Sequence, residues 1–152
     1  MSYRIVKGDI TGVTSGMIAH GVNCKGVMGA GVALAIKKTW PKAFKEYSRI
    51  TPDDNLAGTC QLVDADSEIV VANCFTQVNF GSDPGVKYAS VDNVRSSLTA
   101  ALIACEAYGI ETLHTVKIGC ERGGLSWDNE VEPVFAKLAE EYSDIEILVY
   151  YI

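Results

Sequence analysis

The sequence predicts a single α/β domain of three layers, with helices packed on both faces of a central mixed sheet. Strand-like and helix-like patterns alternate along the chain in the order β-β-α-α-β-β-α-β-α-β, which is typical of such a sheet. Hydrophobic residues make up 48% of the 152 residues, and no linker, repeat or low-complexity stretch divides the chain. Two glycine-rich segments each follow a predicted strand and precede a predicted helix, as ligand-binding loops of α/β domains do.

Turn residues delimit the elements of the first half of the chain. Pro41 suits the first position of a helix, and the acidic stretch 64–68 suits the turn of a hairpin. The predicted elements are strands at 3–7 and 17–22, helices at 32–38 and 41–50, and strands at 59–63 and 69–75.

Capping residues delimit the longest helix in the second half. Ser90 is a preferred N-cap residue and Gly109 a preferred residue just past a helix end, so a helix is predicted over 91–108. The other predicted elements are a strand at 113–118, a helix at 128–141 and a final strand at 145–151.

Charge and composition exclude several classes of function. The net charge of −6 makes the chain a poor binder of nucleic acid, whose phosphates need clustered Lys and Arg, and favours a small anionic ligand. No apolar run approaches the roughly 18 residues that span a membrane, and the start Met1-Ser2-Tyr3-Arg4 shows no secretory signal. Five cysteines without metal-ligand spacing predict free thiols. We therefore expect a cytoplasmic monomer without a metal or cofactor.

The first glycine-rich loop, residues 21–31, joins a strand to a helix. Glycine lets a ligand approach the backbone closely, and a helix N-terminus offers unpaired N–H groups, so this construction binds phosphate in many proteins. Alone, such a loop is more often a structural turn than a phosphate site. The second loop, residues 119–124, repeats the construction, and the two together predict a site for a diphosphate. Neither loop has the Walker A or the GxGxxG pattern.

The ordered set of motifs resembles the macro domain family along essentially the whole chain. The stretches that carry the resemblance are Lys7-Gly8-Asp9-Ile10-Thr11, His20-Gly21-Val22-Asn23-Cys24, Gly29-Ala30-Gly31-Val32-Ala33, Ile118-Gly119-Cys120, Gly123-Gly124-Leu125-Ser126-Trp127 and Val149-Tyr150-Tyr151-Ile152. Within the family, the chain is most similar to the branch of ADP-ribose 1''-phosphate phosphatases and ADP-ribosyl hydrolases. The resemblance implies a three-layer macro fold and an ADP-ribose derivative as the small-molecule partner.

The resemblance also implies roles at matching positions. Asp9 contacts the adenine amino group, the Ile10 backbone lies near the base, and Tyr150 lies beside the adenosine pocket. Asn23 faces the distal ribose and, with His20, is the expected catalytic pair. The residues expected around the first phosphate are Gly29, Ala30, Gly31 and Val32. Those expected around the second are Gly119, Cys120, Glu121, Arg122, Gly123, Gly124 and Leu125.

Two departures bear on the reaction. The branch that removes ADP-ribose from glutamate uses a lysine before the long helix and an aspartate in the second loop. Here Tyr88 takes the lysine's place, although Lys87 is adjacent, and Gly123 takes the place of the aspartate. The leading interpretation is therefore hydrolysis of ADP-ribose 1''-phosphate, with His20 protonating the leaving oxygen or orienting water. The alternatives are a non-catalytic ADP-ribose reader and a hydrolase acting on ADP-ribosylated protein or nucleic acid.

Some side chains have a second, structural interpretation. His20 fits a general acid or base, but it fits a hydrogen-bonded core residue at a strand end equally well. His114 lies within an apolar strand and is expected to be structural. Trp127 is expected to pack under the second loop, whereas Phe80 could cover the ligand.

Overall fold

A computed structural model describes residues 3–152. Met1 and Ser2, which belong to the stretch from which the absence of a secretory signal was expected, lie outside the described residues. The strands are β1 (Arg4–Lys7), β2 (Gly16–Asn23), β3 (Cys60–Asp64), β4 (Ile69–Gln77), β5 (Thr112–Val116) and β6 (Glu146–Tyr151). The α-helices are α1 (Gly31–Thr39), α2 (Pro41–Ser48), α3 (Val91–Tyr108) and α4 (Glu132–Glu141).

The six strands form one mixed sheet in the order β1-β6-β5-β2-β4-β3. All neighbours are parallel except β3, which pairs antiparallel with β4 at the edge. The mixed sheet expected from the alternating pattern is therefore confirmed. Because five strands run in the same direction, their carboxyl ends share one edge of the sheet.

Apolar side chains on each face of the sheet pack against helices, so the helices form two separate layers. Met17 and Ala19 of β2 join the cluster that contains α3 and α4, whereas Ile18 joins the cluster that contains Ile36 of α1 and Ala43 of α2. This alternation follows from the period of two along a strand. The protein is thus a three-layer α/β/α domain, and among residues 3–152 no helix has the length and apolar character needed to cross a membrane.

The predicted caps of α3 are confirmed. The Ser90 hydroxyl accepts the Asn93 N–H at 3.0 Å, and Gly109 ends the helix with φ of 69°. Most predicted boundaries agree with the structure within two residues, and two of the differences have a visible cause. β5 ends at Val116, because the Ile118 N–H turns back to the Val116 carbonyl at 2.7 Å. The last helix is preceded by one π turn, Trp127–Val131, which the Ser126 hydroxyl caps.

Candidate functional site

A cleft of about 920 Å³ opens at the edge where the five parallel strands end. Its walls come from both glycine-rich loops, from the segment after β1, from the end of β4 and from the C-terminal residues. This volume lies in the range of small-molecule sites, and the carboxyl edge of a parallel sheet is where α/β domains bind ligands. The cleft is therefore the candidate site.

The first loop is held in shape by the side chain of Asn23. Its Nδ2 donates to the Val27 carbonyl at 2.8 Å, and its Oδ1 accepts the Lys25 N–H at 2.9 Å. The buried Tyr47 hydroxyl donates to the Asn23 carbonyl at 2.6 Å and to Asn23 Oδ1 at 3.0 Å. Asn23 lines the cleft, and in this structure its amide orders the loop.

This loop leads into α1 without a side-chain cap. Ala30 occupies the N-cap position, where its methyl group accepts no hydrogen bond from the first turn. The backbone N–H groups at the start of α1 are therefore available to an anion, and the helix dipole favours negative charge there. Gly29, Ala30, Gly31 and Val32 all line the cleft.

The second loop folds tightly against the segment before α3. Gly119 has φ of 79°, and its carbonyl accepts the Leu125 N–H at 3.0 Å. The Gly123 carbonyl accepts the Ala89 N–H at 3.0 Å. A Cβ on Gly123 would lie 2.4 Å from the Gly119 oxygen, so this path of the backbone requires glycine.

Five of the seven residues expected around the second phosphate line the cleft, from Gly119 to Gly123. Gly124 and Leu125 do not. The Cα of Gly124 faces the Val86 carbonyl, since a Cβ there would lie 2.3 Å from that oxygen. Leu125 is 5% exposed and packs in the core cluster of α3 and α4. The loop turns at Gly124, which has φ of 80°, and the packing of Leu125 in the core then holds the end of the loop in place.

The two loops meet across the cleft. Arg122 Nε of the second loop lies 3.4 Å from the position that a Cβ on Gly31 of the first loop would occupy. Gly31 has φ of 60° and opens α1, so the guanidinium stands beside the free helix N-terminus. A guanidinium beside such N–H groups is an arrangement that binds phosphate.

At the opposite end of the cleft, hydrogen bonds hold the side chains of Asp9 and Tyr150 in place. Asp9 Oδ1 accepts the Thr11 hydroxyl at 2.6 Å and its N–H at 2.9 Å, and these bonds lower the pKa of the Asp9 carboxyl. The Tyr150 hydroxyl donates to His114 Nδ1 at 2.7 Å, while His114 Nε2 donates to the Ser15 carbonyl at 3.0 Å. Both ring nitrogens of His114 are thus engaged, as expected for a structural histidine.

His20 lies at the floor of the cleft and is 1% exposed. Its Nε2 lies 2.6 Å from Asn73 Oδ1. Burial lowers the pKa of the imidazole to about 4, and the hydrogen bond with Asn73 offsets this only in part. His20 is therefore neutral at pH 7, which argues against an imidazolium that donates its proton and favours the other predicted role, the orientation of water.

The loop cysteines are poor nucleophiles at neutral pH. All five thiols are free, as the sequence predicted. Burial raises the pKa of the Cys120 thiol to about 11, and burial followed by the charge of Asp54 raises the pKa of Cys24. Because the thiolate is the nucleophile, neither residue is suited to attack a substrate. Within residues 3–152, no three His, Cys, Asp or Glu side chains are grouped as metal ligands would be.

The three residues at which the chain departs from the glutamate-directed hydrolases supply no catalytic side chain to the cleft: Gly123 has none, and Lys87 and Tyr88 are bonded elsewhere. Lys87 Nζ contacts Glu130 Oε2 at 2.9 Å, and the Tyr88 hydroxyl accepts the Asp83 N–H at 3.3 Å.

Trp127 packs against Phe135 with ring centroids 5.2 Å apart, which confirms its packing role. Phe80 is 53% exposed and lies on the rim of the cleft.

Several lining residues were not predicted as site residues, among them Thr76 and Gln77 at the end of β4. The Thr76 hydroxyl is buried without a hydrogen-bond partner among the described residues, and a Cβ on Gly21 would lie 2.7 Å from it. The predicted strand ended at residue 75. Ligands of α/β domains bind beyond the carboxyl ends of strands. The same rule, applied to β4, would have identified these residues.

A three-layer domain with two glycine-rich loops framing one cleft at the carboxyl edge of its sheet has the architecture of α/β domains that bind ligands beyond the ends of their strands. The sequence profile of the Macro domain family matches residues 19–134. The chain therefore belongs to the Macro domain family, as the resemblance predicted.

Two of the similar proteins have names that state different activities. The chain is 30% identical over 153 residues to an ADP-ribose 1''-phosphate phosphatase of Lodderomyces elongisporus, covering 91% of this chain and 93% of that protein. It is 23% identical over 147 residues to a DNA ADP-ribosyl glycohydrolase of Mycobacterium tuberculosis. That alignment covers 94% of this chain but only 40% of the glycohydrolase, so the chain spans about two fifths of the length of that relative.

Solved structures share the whole fold. A Bacteroides thetaiotaomicron protein of unknown function superposes with a TM-score of 0.85 at 27% identity, covering 100% of this chain and 99% of that one. Thermosipho africanus DarTG, solved in complex with ADP-ribose, superposes with a TM-score of 0.78 at 19% identity, covering 98% of this chain and 41% of that one.

Proposed function

We propose that this protein binds ADP-ribose 1''-phosphate and hydrolyses its terminal phosphate ester to give ADP-ribose and inorganic phosphate. The observation that carries the proposal is the meeting of the two loops at Gly31 and Arg122, and this arrangement supports one shared site for a diphosphate. The similarity to a named phosphatase along nearly the full length of both proteins supports this substrate.

The ligand lies along the carboxyl edge of the sheet in this proposal. Adenine lies at the end of β1, near Asp9, Ile10 and Tyr150. The diphosphate bridges the N-terminus of α1 and the loop from Gly119 to Gly123. The distal ribose and its phosphate then lie near the carboxyl ends of β2 and β4, close to Asn23 and His20.

The reaction needs a positioned water and a stabilised leaving group. Water attacks the terminal phosphorus, the bond from phosphorus to the ribose oxygen breaks, and that oxygen leaves with a proton transferred from the attacking water. Fixing the diphosphate on loop N–H groups supplies positioning, and the same dipoles stabilise the developing charge. His20 Nδ1 accepts a hydrogen bond from the water, a role that suits a neutral imidazole.

A phosphate-release assay with ADP-ribose 1''-phosphate tests this function. His20→Ala should lower turnover by about 100-fold, the scale on which a misplacement of a reactant by about 1 Å acts, while ADP-ribose affinity by calorimetry stays within about threefold. Unchanged turnover in this variant would remove His20 from the mechanism.

The second candidate is a non-catalytic reader of ADP-ribose. It is favoured by the second loop, where a buried glycine leaves no room for an acidic side chain at residue 123. Saturable ADP-ribose binding without phosphate release would select the reader.

The similarity to the mycobacterial glycohydrolase motivates a third arm of the assay, with labelled ADP-ribosylated DNA and protein. Release of label from these substrates alone would favour ADP-ribosyl hydrolysis. The engagement of Lys87 by Glu130 argues against a lysine-based route to that reaction.

A further inference from the structure

Asn73 lies beside His20 in the centre of the sheet. The two residues are register partners on β4 and β2, and Asn73 has no exposed surface. Asn73 Oδ1 lies 2.6 Å from His20 Nε2. Neither the sequence motifs nor the role proposed for His20 accounts for a buried amide at this position, so its bonding partners decide what it does.

The orientation of the Asn73 amide is fixed by two acceptors. Its Nδ2 donates to the Ala43 carbonyl of α2 at 3.1 Å and to Gln61 Oε1 of β3 at 3.0 Å. A backbone carbonyl only accepts hydrogen bonds, so the NH₂ group must face it and Oδ1 must face His20. Because Oδ1 carries no proton, the proton of this short bond belongs to His20 Nε2.

The tautomer of His20 follows from this bond. A neutral imidazole has one N–H, and here Nε2 carries it. Nδ1 therefore holds a lone pair and can only accept. This atom is buried and has no hydrogen-bond partner among residues 3–152, although the residue lines the floor of the cleft. Buried polar atoms are almost always satisfied, so an unpartnered acceptor here indicates a place for a water or a ligand hydroxyl.

We propose that Asn73, oriented by Gln61 and the Ala43 carbonyl, is a positioning residue that holds His20 in the Nε2–H tautomer and keeps Nδ1 as the acceptor for the attacking water. This inference rests on the proposed phosphatase function for its catalytic meaning. In the other tautomer, the lone pairs of Nε2 and Oδ1 would face each other in a buried site, and Nδ1 would present a proton to the water instead of accepting one.

The tautomer can be measured without substrate by ¹⁵N NMR of the imidazole nitrogens in the full chain at pH 7. We expect a protonated, pyrrole-like signal for His20 Nε2 and a pyridine-like signal for Nδ1. The sequence has only two histidines, so the spectrum of His20→Gln assigns the signals. A pyrrole-like Nδ1 in the native chain would overturn the proposal.

A pair of substitutions at Gln61 tests the positioning while leaving the core intact. Gln61 is half-buried on the edge strand β3 and lies outside the cleft. Gln61→Met removes one of the two acceptors for Asn73 Nδ2, whereas Gln61→Glu keeps both. Outer hydrogen-bond partners of functional histidines are worth about 10- to 100-fold in activity at metal sites, and we expect a kcat loss at the lower end of that range for Gln61→Met. Gln61→Glu should retain kcat within about threefold, and KM should change little in both variants.

Asn73→Leu removes the anchor entirely and should give a mixture of His20 tautomers with a larger loss of kcat. Because this change lies in the core, the melting temperature is measured beside it, and the tautomer of the native chain decides if the variant does not fold. Native tautomer signals and native kcat in a folded Asn73→Leu would overturn the positioning role of Asn73. Equal kcat in Gln61→Met and Gln61→Glu, with native tautomer signals in both, would overturn the part of Gln61 in it. Native tautomer signals together with no phosphate release by the native chain would overturn the proposed function alone.

Discussion

Gly123→Ala tests whether the backbone of the second loop is the binding element. The added Cβ would lie 2.4 Å from the Gly119 oxygen and 2.9 Å from Ala89 Cβ, and real Cβ atoms essentially never come within 3.0 Å of such neighbours. The Gly119 oxygen must therefore move by more than half an ångström, and Gly119 itself lines the cleft.

The stability cost follows from overpacking. Inserting a methyl group into a closely packed site costs about 1–3 kcal/mol. In a domain of this length, each kcal/mol lowers the melting temperature by about 2–4 °C, so Gly123→Ala should melt about 2–12 °C below the native protein. Displacing the loop should also remove at least one charge-assisted hydrogen bond to the diphosphate, which weakens ADP-ribose binding by about tenfold or more.

Thermal unfolding and calorimetry with ADP-ribose measure both effects. Gly12→Ala is the matched control, because a Cβ there would meet no atom within 4 Å and its φ is not positive. We expect the control to change stability by less than about 0.5 kcal/mol and to leave affinity unchanged. Native melting temperature and native affinity in Gly123→Ala would refute the packing argument and the role of this loop together.

Three further predictions concern the loops and the buried histidine. Arg122→Gln should weaken ADP-ribose binding by about 10- to 150-fold by calorimetry, since a hydrogen bond to a charged group is worth about 1.5–3 kcal/mol; an unchanged affinity would remove Arg122 from the site. Tyr47→Phe should lower the free energy of unfolding in urea by about 1–3 kcal/mol, because it leaves the buried Asn23 carbonyl without its 2.6 Å donor. A value near zero would show that another group replaces that donor. The folded His20 takes up a proton only near pH 4, whereas the unfolded residue does so near 6.5, so stability should fall as the pH falls through this window. Between pH 7 and 5 the native chain should lose on the order of 2 kcal/mol more than His20→Gln, and equal pH profiles would contradict a depressed pKa.

The sequence predicted the fold through local signals that act within one element. Ser90 and Gly109 delimit α3 because a cap depends only on neighbouring backbone groups. The strand predicted at 17–22 is β2, whose apolar side chains pack in both helix layers. The two glycine-rich loops were also predictable, because a strand followed by glycines and a helix is a local pattern.

The contacts between distant segments were not predictable in the same way. The bond between His20 and Asn73 depends on the register of β2 against β4, and the approach of Arg122 to Gly31 depends on how two loops fold. A single turn at Gly124 sends Leu125 into the core, although it is next to residues that line the cleft. The direction of a side chain within an irregular loop is set by packing that no short pattern encodes.

A crystal structure of the protein with ADP-ribose would show directly whether the two glycine-rich loops hold the diphosphate. We expect the two phosphates between the N-terminus of α1 and the segment from Gly119 to Gly123, with the guanidinium of Arg122 in contact with a phosphate oxygen. Phosphates located away from either loop, or a ligand that fails to bind at millimolar concentration, would contradict it.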